Sequence, residues 1–158
     1  LNIDTDDDVD LVINDLTGGV DISNDITVSG TGDVNVYLRT DGDITMGGST
    51  SINSGGNADQ FIMYVHSDAP AIKLTGRPAY VGGIYAPYTA MEGDQGGGGG
   101  CGSGNRLSVT GSVVVDTFCF RNGRFTHEPE MNDIEPNINA DTVKYLHVSE
   151  NHVNVELN

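Results

Sequence analysis

The chain has 158 residues, enough for one domain with a core of useful size, and its 39 Leu, Ile, Val and Phe residues, about a quarter, exclude a disordered chain. Its net charge of −16 comes from 17 Asp and 6 Glu against two Lys and five Arg, which argues against nucleic acid or an anionic membrane surface as a partner. No apolar run is long enough to span a bilayer.

The charge needs screening, and the Debye length falls from about 10 Å at 0.1 M salt to about 3 Å at 1 M. An acidic, lysine-poor chain that folds has the character of a protein from a salt-loving organism. The sequence begins at Leu1 without Met or a signal peptide, so it reads as the soluble part of something longer, with any export signal or membrane anchor lying upstream.

Near the start stand Asp4, Asp6, Asp7, Asp8 and Asp10. Calcium favours carboxylate oxygens, which makes Asp4, Asp6 and Asp8 a calcium option. The EF-hand glycine and terminal glutamate are missing, and alternate Asp on a strand reads better as a solvated face, so no cofactor is expected. Val9-Asp10-Leu11-Val12-Ile13 and Val20-Asp21-Ile22 follow, alternating as half-buried strands do.

A five-residue phrase then recurs: apolar or β-branched, polar, apolar, any residue, glycine. It stands at Ile26–Gly30, Ile44–Gly48, Ile72–Gly76, less cleanly at Thr89–Gly93, and at Leu107–Gly111, with copies 18, 28, 17 and 18 positions apart. One strand per copy at a near-constant period predicts a solenoid, in which the long interval holds a Ser-, Gly- and Asn-rich insertion from Ser49 to Asp59. Val34–Leu38, Phe61–Val65 and Val81–Tyr85 predict a second strand ahead of three copies. The links between hold Asp-Gly, Asp-Ala-Pro or Ala-Pro, residues that suit a corner. The expectation is an all-β fold: a short single-stranded parallel β-helix (β-solenoid) over residues 1–125.

The run Gly96–Gly100 lacks the Gly-Lys-Ser/Thr that follows in a phosphate cradle, and Asp94 would repel a phosphate, so it reads as a loop. Cys101 and Cys119 are 18 positions apart, the same interval as the phrase. Equivalent positions on adjacent coils lie about 4.8 Å apart, within the range a disulfide accepts. The spacing therefore predicts a disulfide, the alternative being two inert buried thiols. Residues 126–141 are polar, contain Pro129 and Pro136, and read as a connector. Thr142–Val148 and His152–Leu157 form two strand-like runs, a C-terminal hairpin over residues 142–158 that caps the coil or serves assembly.

Catalytic groupings are weak. His66, His127, His147 and His152 have no metal spacing, the Asp41 and Asp43 pair is one of many acidic pairs, and no Ser-His-Asp arrangement can be assigned. No Asn-x-Ser/Thr sequon occurs. Tyr37, Tyr64, Tyr85 and Tyr88 are the candidates for a ligand or assembly surface, as an aromatic groove for glycan or a ladder of stacked rings.

Ala71–Gly76 followed by Gly83-Ile84-Tyr85-Ala86-Pro87 resembles the repeat-rich surface domains of pilus-associated and exported proteins, and Tyr145–Val153 is similar to the end of haloarchaeal exported proteins with a type IV pilin-like anchor. The resemblance implies a Gly-rich β-helical ectodomain at the cell surface or outside the cell, and bears on location and architecture more than on activity. The expected function is a non-enzymatic structural, adhesive or filament-forming domain whose partners are other surface-protein subunits or copies of itself. A membrane would be met only through an upstream anchor. The alternatives are a carbohydrate-binding or carbohydrate-cleaving β-helix and a bactofilin-like polymer.

Overall fold

The structure, a computed structural model, describes residues 1–93, 107–119, 123–128, 131 and 143–145. Its strands are β1 (Asn2–Asp4), β2 (Val9–Leu16), β3 (Val20–Ile22), β4 (Thr27–Ser29), β5 (Val34–Thr40), β6 (Ile44–Met46), β7 (Ser51–Ile52), β8 (Phe61–Val65), β9 (Ala71–Leu74), β10 (Ala79–Gly93), β11 (Leu107–Cys119), β12 (Gly123–His127) and β13 (Val143–Tyr145), with a 3-10 turn at Ala58–Gln60. Pairing between these strands is parallel. The fold is a β-solenoid of about four turns.

Each turn has three faces. β1, β4 and β7 begin successive turns on face A; β2, β5 and β8 stack on face B; β3, β6 and β9 stack on face C. β10 then runs through all three faces as one strand, pairing with β7, β8 and β9 in succession. β11 repeats that path on top of β10, and β12 adds to β11 on face A.

Alternation decides what goes inside. Along β5, Val34, Val36, Leu38 and Thr40 are buried, while Asn35, Tyr37 and Arg39 point outward. Parallel register sets like on like, giving inward rows such as Leu11, Val36, Met63, Ile84 on face B and Val20, Ile44, Ile72, Met91 on face C. Ile44, Ile72 and Ile84 are fully buried, each worth about 1.5–3 kcal/mol of apolar transfer.

The expected second strands and corners are present: Asp41-Gly42, Asp68-Ala69-Pro70 and Ala86-Pro87 each carry the chain from face B to face C. The assignment of the glycine phrase to one coil per copy is corrected. Ile26 and Ile44 belong to faces A and C of the same turn, so an 18-residue step crosses a turn and does not complete it. The true period is read from the register: Ile44 pairs with Ile72 and Val9 with Val34. The long interval is therefore a full turn. Ser49–Asp59 is no idle insertion, because it contains β7 with Ile52 buried and supplies face A.

The described part of the expected hairpin, Val143–Tyr145, is a strand that pairs parallel with β2, at the first-coil end of the stack. Its other run, His152–Leu157, and the run Gly96–Gly100 lie outside the described residues.

The passage of β10 and β11 from face A to face B depends on a stacked glycine pair. Gly82 and Gly111 are in register, with φ of 151° and 137°, and a Cβ on Gly111 would lie 2.0 Å from the Gly82 carbonyl oxygen. Gly48 also has a positive φ but has nothing within 4 Å of its would-be Cβ. Urea unfolding should therefore find Gly111→Ala destabilised by about 2–3 kcal/mol and Gly48→Ala by only about 1 kcal/mol.

Candidate functional site

Face B carries the most distinctive outer row. The register aligns Val12, Tyr37, Tyr64, Tyr85 and Val114 on successive layers. The Tyr37 and Tyr64 rings stack with centroids 4.9 Å apart and planes within 10°, and Tyr85 follows at 6.0 Å with a 56° tilt. Layer spacing in a parallel sheet is itself about 4.8 Å, so in-register tyrosines are brought to stacking distance by the backbone. Tyr64, held between two neighbours, is only 8% exposed. Tyr37 and Tyr64 spend their facing ring surfaces on each other, whereas sugar stacking needs an open face. Tyr88 does not join them; it stands at the next corner, 74% exposed. The structure thus brings together three of the four candidate tyrosines as a ladder.

Burial, followed by the nearby Asp10 carboxylate and Tyr64, pushes the Tyr37 hydroxyl up to about 12, and burial and Asp10 raise Tyr64 as well. Asp10 itself accepts a 3.0 Å hydrogen bond from the Asn35 amide. Beyond the ladder, Asp68 joins Arg39 at 3.0 Å and His66 at 3.3 Å, all three exposed.

Several acids are met by neutral donors on the neighbouring turn. Asp4 accepts from the Ser29 hydroxyl at 2.8 Å, Asp8 from the Asp33 N–H at 3.1 Å, Asp25 from the Ser51 N–H at 2.7 Å, and Asp41 from the Gly18 N–H at 2.9 Å. Asp43 is paired with Lys73, whose ammonium is raised above its usual range by that hydrogen bond. Asp41 and Asp43 are thus each engaged with another turn and do not face a shared substrate position. At Asp33 burial, then repulsion from Asp8 and Asp59, raises the carboxyl. Of the calcium option, Asp4 and Asp8 hold the next turn, and Asp6 is exposed. Among the described residues no group of three or more His, Cys, Asp or Glu is placed to hold a metal.

Cys119 lies on face C in register with Glu92, so the expectation that the spacing sets it opposite Cys101 on the adjacent turn is corrected: 18 residues is not the period. Cys119 is disulfide-bonded; Cys101 lies outside the described residues.

Sequence reasoning missed Asn53. Buried and left-handed at φ 51°, it donates from Nδ2 to the Asn57 carbonyl at 2.9 Å and the Val81 carbonyl at 3.2 Å, tying the face A corner to the next layer. The signal was present in Asn53-Ser54-Gly55-Gly56, since Asn is the residue that tolerates this conformation next best after glycine. Nearby lies an outer cleft of about 330 Å³ lined by Asn57, Asp59, Val81, Thr110, Glu128 and Met131 among others. Its polar groups come from three different layers.

A family profile described as a domain of unknown function (DUF7305) matches residues 1–134. No curated protein and no solved structure matches the chain.

The tyrosine ladder has an alkaline signature. The unfolded chain ionises near the ordinary value of about 10, before folded Tyr37 at about 12, so stability is level below about pH 10 and falls as pH rises between the two. A phenolate absorbance titration should resolve this late tyrosine, and Asp10→Asn should bring it down by removing the adjacent charge.

Proposed function

The chain belongs to the DUF7305 family, and we propose that this domain is a non-enzymatic structural module of a cell surface or of the space outside the cell, working in high salt. In this reading it is the β-helical ectodomain of a pilin-like protein of the haloarchaeal kind, used for adhesion, surface structure or filament assembly. The observation that carries the reading is the outer surface. No Asp or Glu is fully buried among the described residues whose burial is given; Asp4, Asp8, Asp10, Asp25 and Asp41 accept from hydroxyl, amide or backbone donors, and Asp43 and Asp68 pair with cations. Such a surface leaves its net charge to be screened by dissolved salt. The disulfide at Cys119 supports an oxidising compartment.

The partner surface in this proposal is the last layer. Val114, Phe118 and Phe125 are 39%, 48% and 43% exposed there, and Phe118 and Phe125 meet edge to face at 4.7 Å. A second copy or another subunit of the same surface would cover them.

Melting temperature should climb steadily between about 0.1 M and about 3 M NaCl as the acids are screened. Asp33→Asn should raise it at low salt, because the carboxylate is held in an unfavourable charged state, and the gain should fade at high salt. A flat salt response sinks the high-salt reading.

Light scattering in high salt at rising protein concentration should show self-association that the double variant Val114→Glu/Phe125→Glu abolishes while circular dichroism shows it still folded. A wild-type chain that stays monomeric throughout removes self-assembly through this face.

A further inference from the structure

The outer row of face B holds two phenol rings in an arrangement that oxidation can make permanent. Tyr37 on β5 and Tyr64 on β8 are partners in the parallel register, their ring centroids lie 4.9 Å apart, and their planes agree within 10°. Both side chains leave in-register backbones in the same direction, so like atoms lie over like. The ring carbons beside the two hydroxyls are thereby brought to about the 4.8 Å spacing of the strands. Tyr85 is in register with Tyr64 too, but it stands at 6.0 Å with a 56° tilt, which takes its corresponding carbon out of line. Two further tyrosines are placed differently. Tyr80 lies in the core with Phe61 edge to face against it and donates its hydroxyl to the Gly83 carbonyl at 2.7 Å, and Tyr88 stands exposed at a corner.

The surroundings suit one-electron chemistry at this pair. A phenol that loses an electron becomes strongly acidic and passes its proton on at once. Burial, and next the Asp10 carboxylate, raises both hydroxyls, so Asp10 lies near enough to act on each. The Asn35 amide holds that carboxylate with a 3.0 Å hydrogen bond. Tyr64 is buried, whereas Tyr37 and Tyr85 on either side of it are half-buried. An oxidant in solution therefore meets a flanking ring first, and a radical formed on Tyr37 stays beside a second phenol.

We propose that Tyr37 and Tyr64 are a modification site, joined by one-electron oxidation into a dityrosine that staples the second turn to the third. Each phenol gives up one electron and its hydroxyl proton, and the two radicals form a carbon–carbon bond between the ring positions next to the oxygens. The two hydrogens displaced from those carbons return to the oxygens and restore both phenols. The pair as a whole loses two electrons and two protons. One hydrogen peroxide, acting through a one-electron peroxidase or metal catalyst, takes these up and leaves two waters. The soft torsion about each Cβ–ring bond lets the rings close the remaining distance. The link joins residues 27 positions apart on adjacent turns. The oxidant supplies the chemistry and the fold supplies the spacing, so the site does not depend on where the domain works.

Photo-oxidation of the folded full chain tests it, with ruthenium tris-bipyridine and persulfate as the one-electron oxidant. The chain carries Tyr88→Phe to remove the exposed ring, and dilute solution disfavours links between chains. The product should be a monomer lighter by two hydrogens, and peptide mapping should find Tyr37 joined to Tyr64. Adding Tyr37→Phe should lower the yield of links within a chain about tenfold or more, because the held geometry is lost, whereas adding Tyr85→Phe should leave it unchanged. In urea the preference for this pair should disappear. The peptide map of the Tyr88→Phe chain decides the matter even where a further variant fails to fold. Rings oxidised singly without a link would overturn the proposal, as would a link that joins Tyr64 to Tyr85 in preference, one that joins two chains in preference, or equal linking of Tyr37 and Tyr64 in urea.

Discussion

Each layer of this molecule takes its place from the parallel backbone hydrogen bonds it makes to the layer before it, and that pairing sets every residue directly over its equivalent at about 4.8 Å. Rows of like residues follow as a necessity. Leu11, Val36, Met63 and Ile84 gain from such contact, as do Tyr37 and Tyr64. Gly82 and Gly111 are a row too, present because a side chain on either would strike backbone. For charges the same geometry is hostile, since stacked carboxylates repel along the whole axis. The chain answers by interleaving, setting Ser29 over Asp4, Asn35 over Asp10 and Thr45 over Asp21. Asp33 shows the cost where acids do gather: loss of solvent, and then the nearby charges of Asp8 and Asp59, raise its carboxyl.

That rule explains which parts of the fold were legible in the sequence. Face B could be read directly, because Val34–Leu38 and Phe61–Val65 are long enough to display alternation, and Asp-Gly or Ala-Pro marks the corner after them. The period could not be read from glycine. Gly30, after the face A strand β4, and Gly48 and Gly76, after the face C strands β6 and β9, all have positive φ. Glycine thus records where the chain turns sharply, which happens on more than one face per turn. Val9, Val34 and Phe61, which begin face B on successive turns, carry the period more faithfully.

The candidate site was less legible for a related reason. The tyrosines at 37, 64 and 85 were visible as aromatics, but their meeting depends on register, which a wrong period misplaces. Ser49–Asp59 read as an insertion because β7 shows only one apolar residue, Ile52, and the next inward burden falls on polar Asn53, whose amide bonds lie in three dimensions and leave no periodic trace. The cysteine spacing was coincident with the phrase interval and unrelated to the period, so a disulfide at Cys119 is compatible with the fold without following from the stated geometry.

A solenoid of this kind has no internal reason to stop, since each layer offers the next the same edge it received. In its middle apolar rows lie inside, and outside stand the tyrosine ladder and acids such as Asp4, Asp25 and Asp41 that accept from the neighbouring turn. The ends differ from the middle and from each other. At the first turn the inward residues Ile13, Val20 and Ile22 are only partly buried; at the last, Val113 and Val115 are likewise partly buried and Phe118 is exposed. β13 adds to face B at one end and β12 to face A at the other, so among the described residues neither end presents the full three-faced edge of an identical turn. Whether the stack remains single or grows is therefore decided at its first and last layers, where the inward rows that fill the middle are only partly covered.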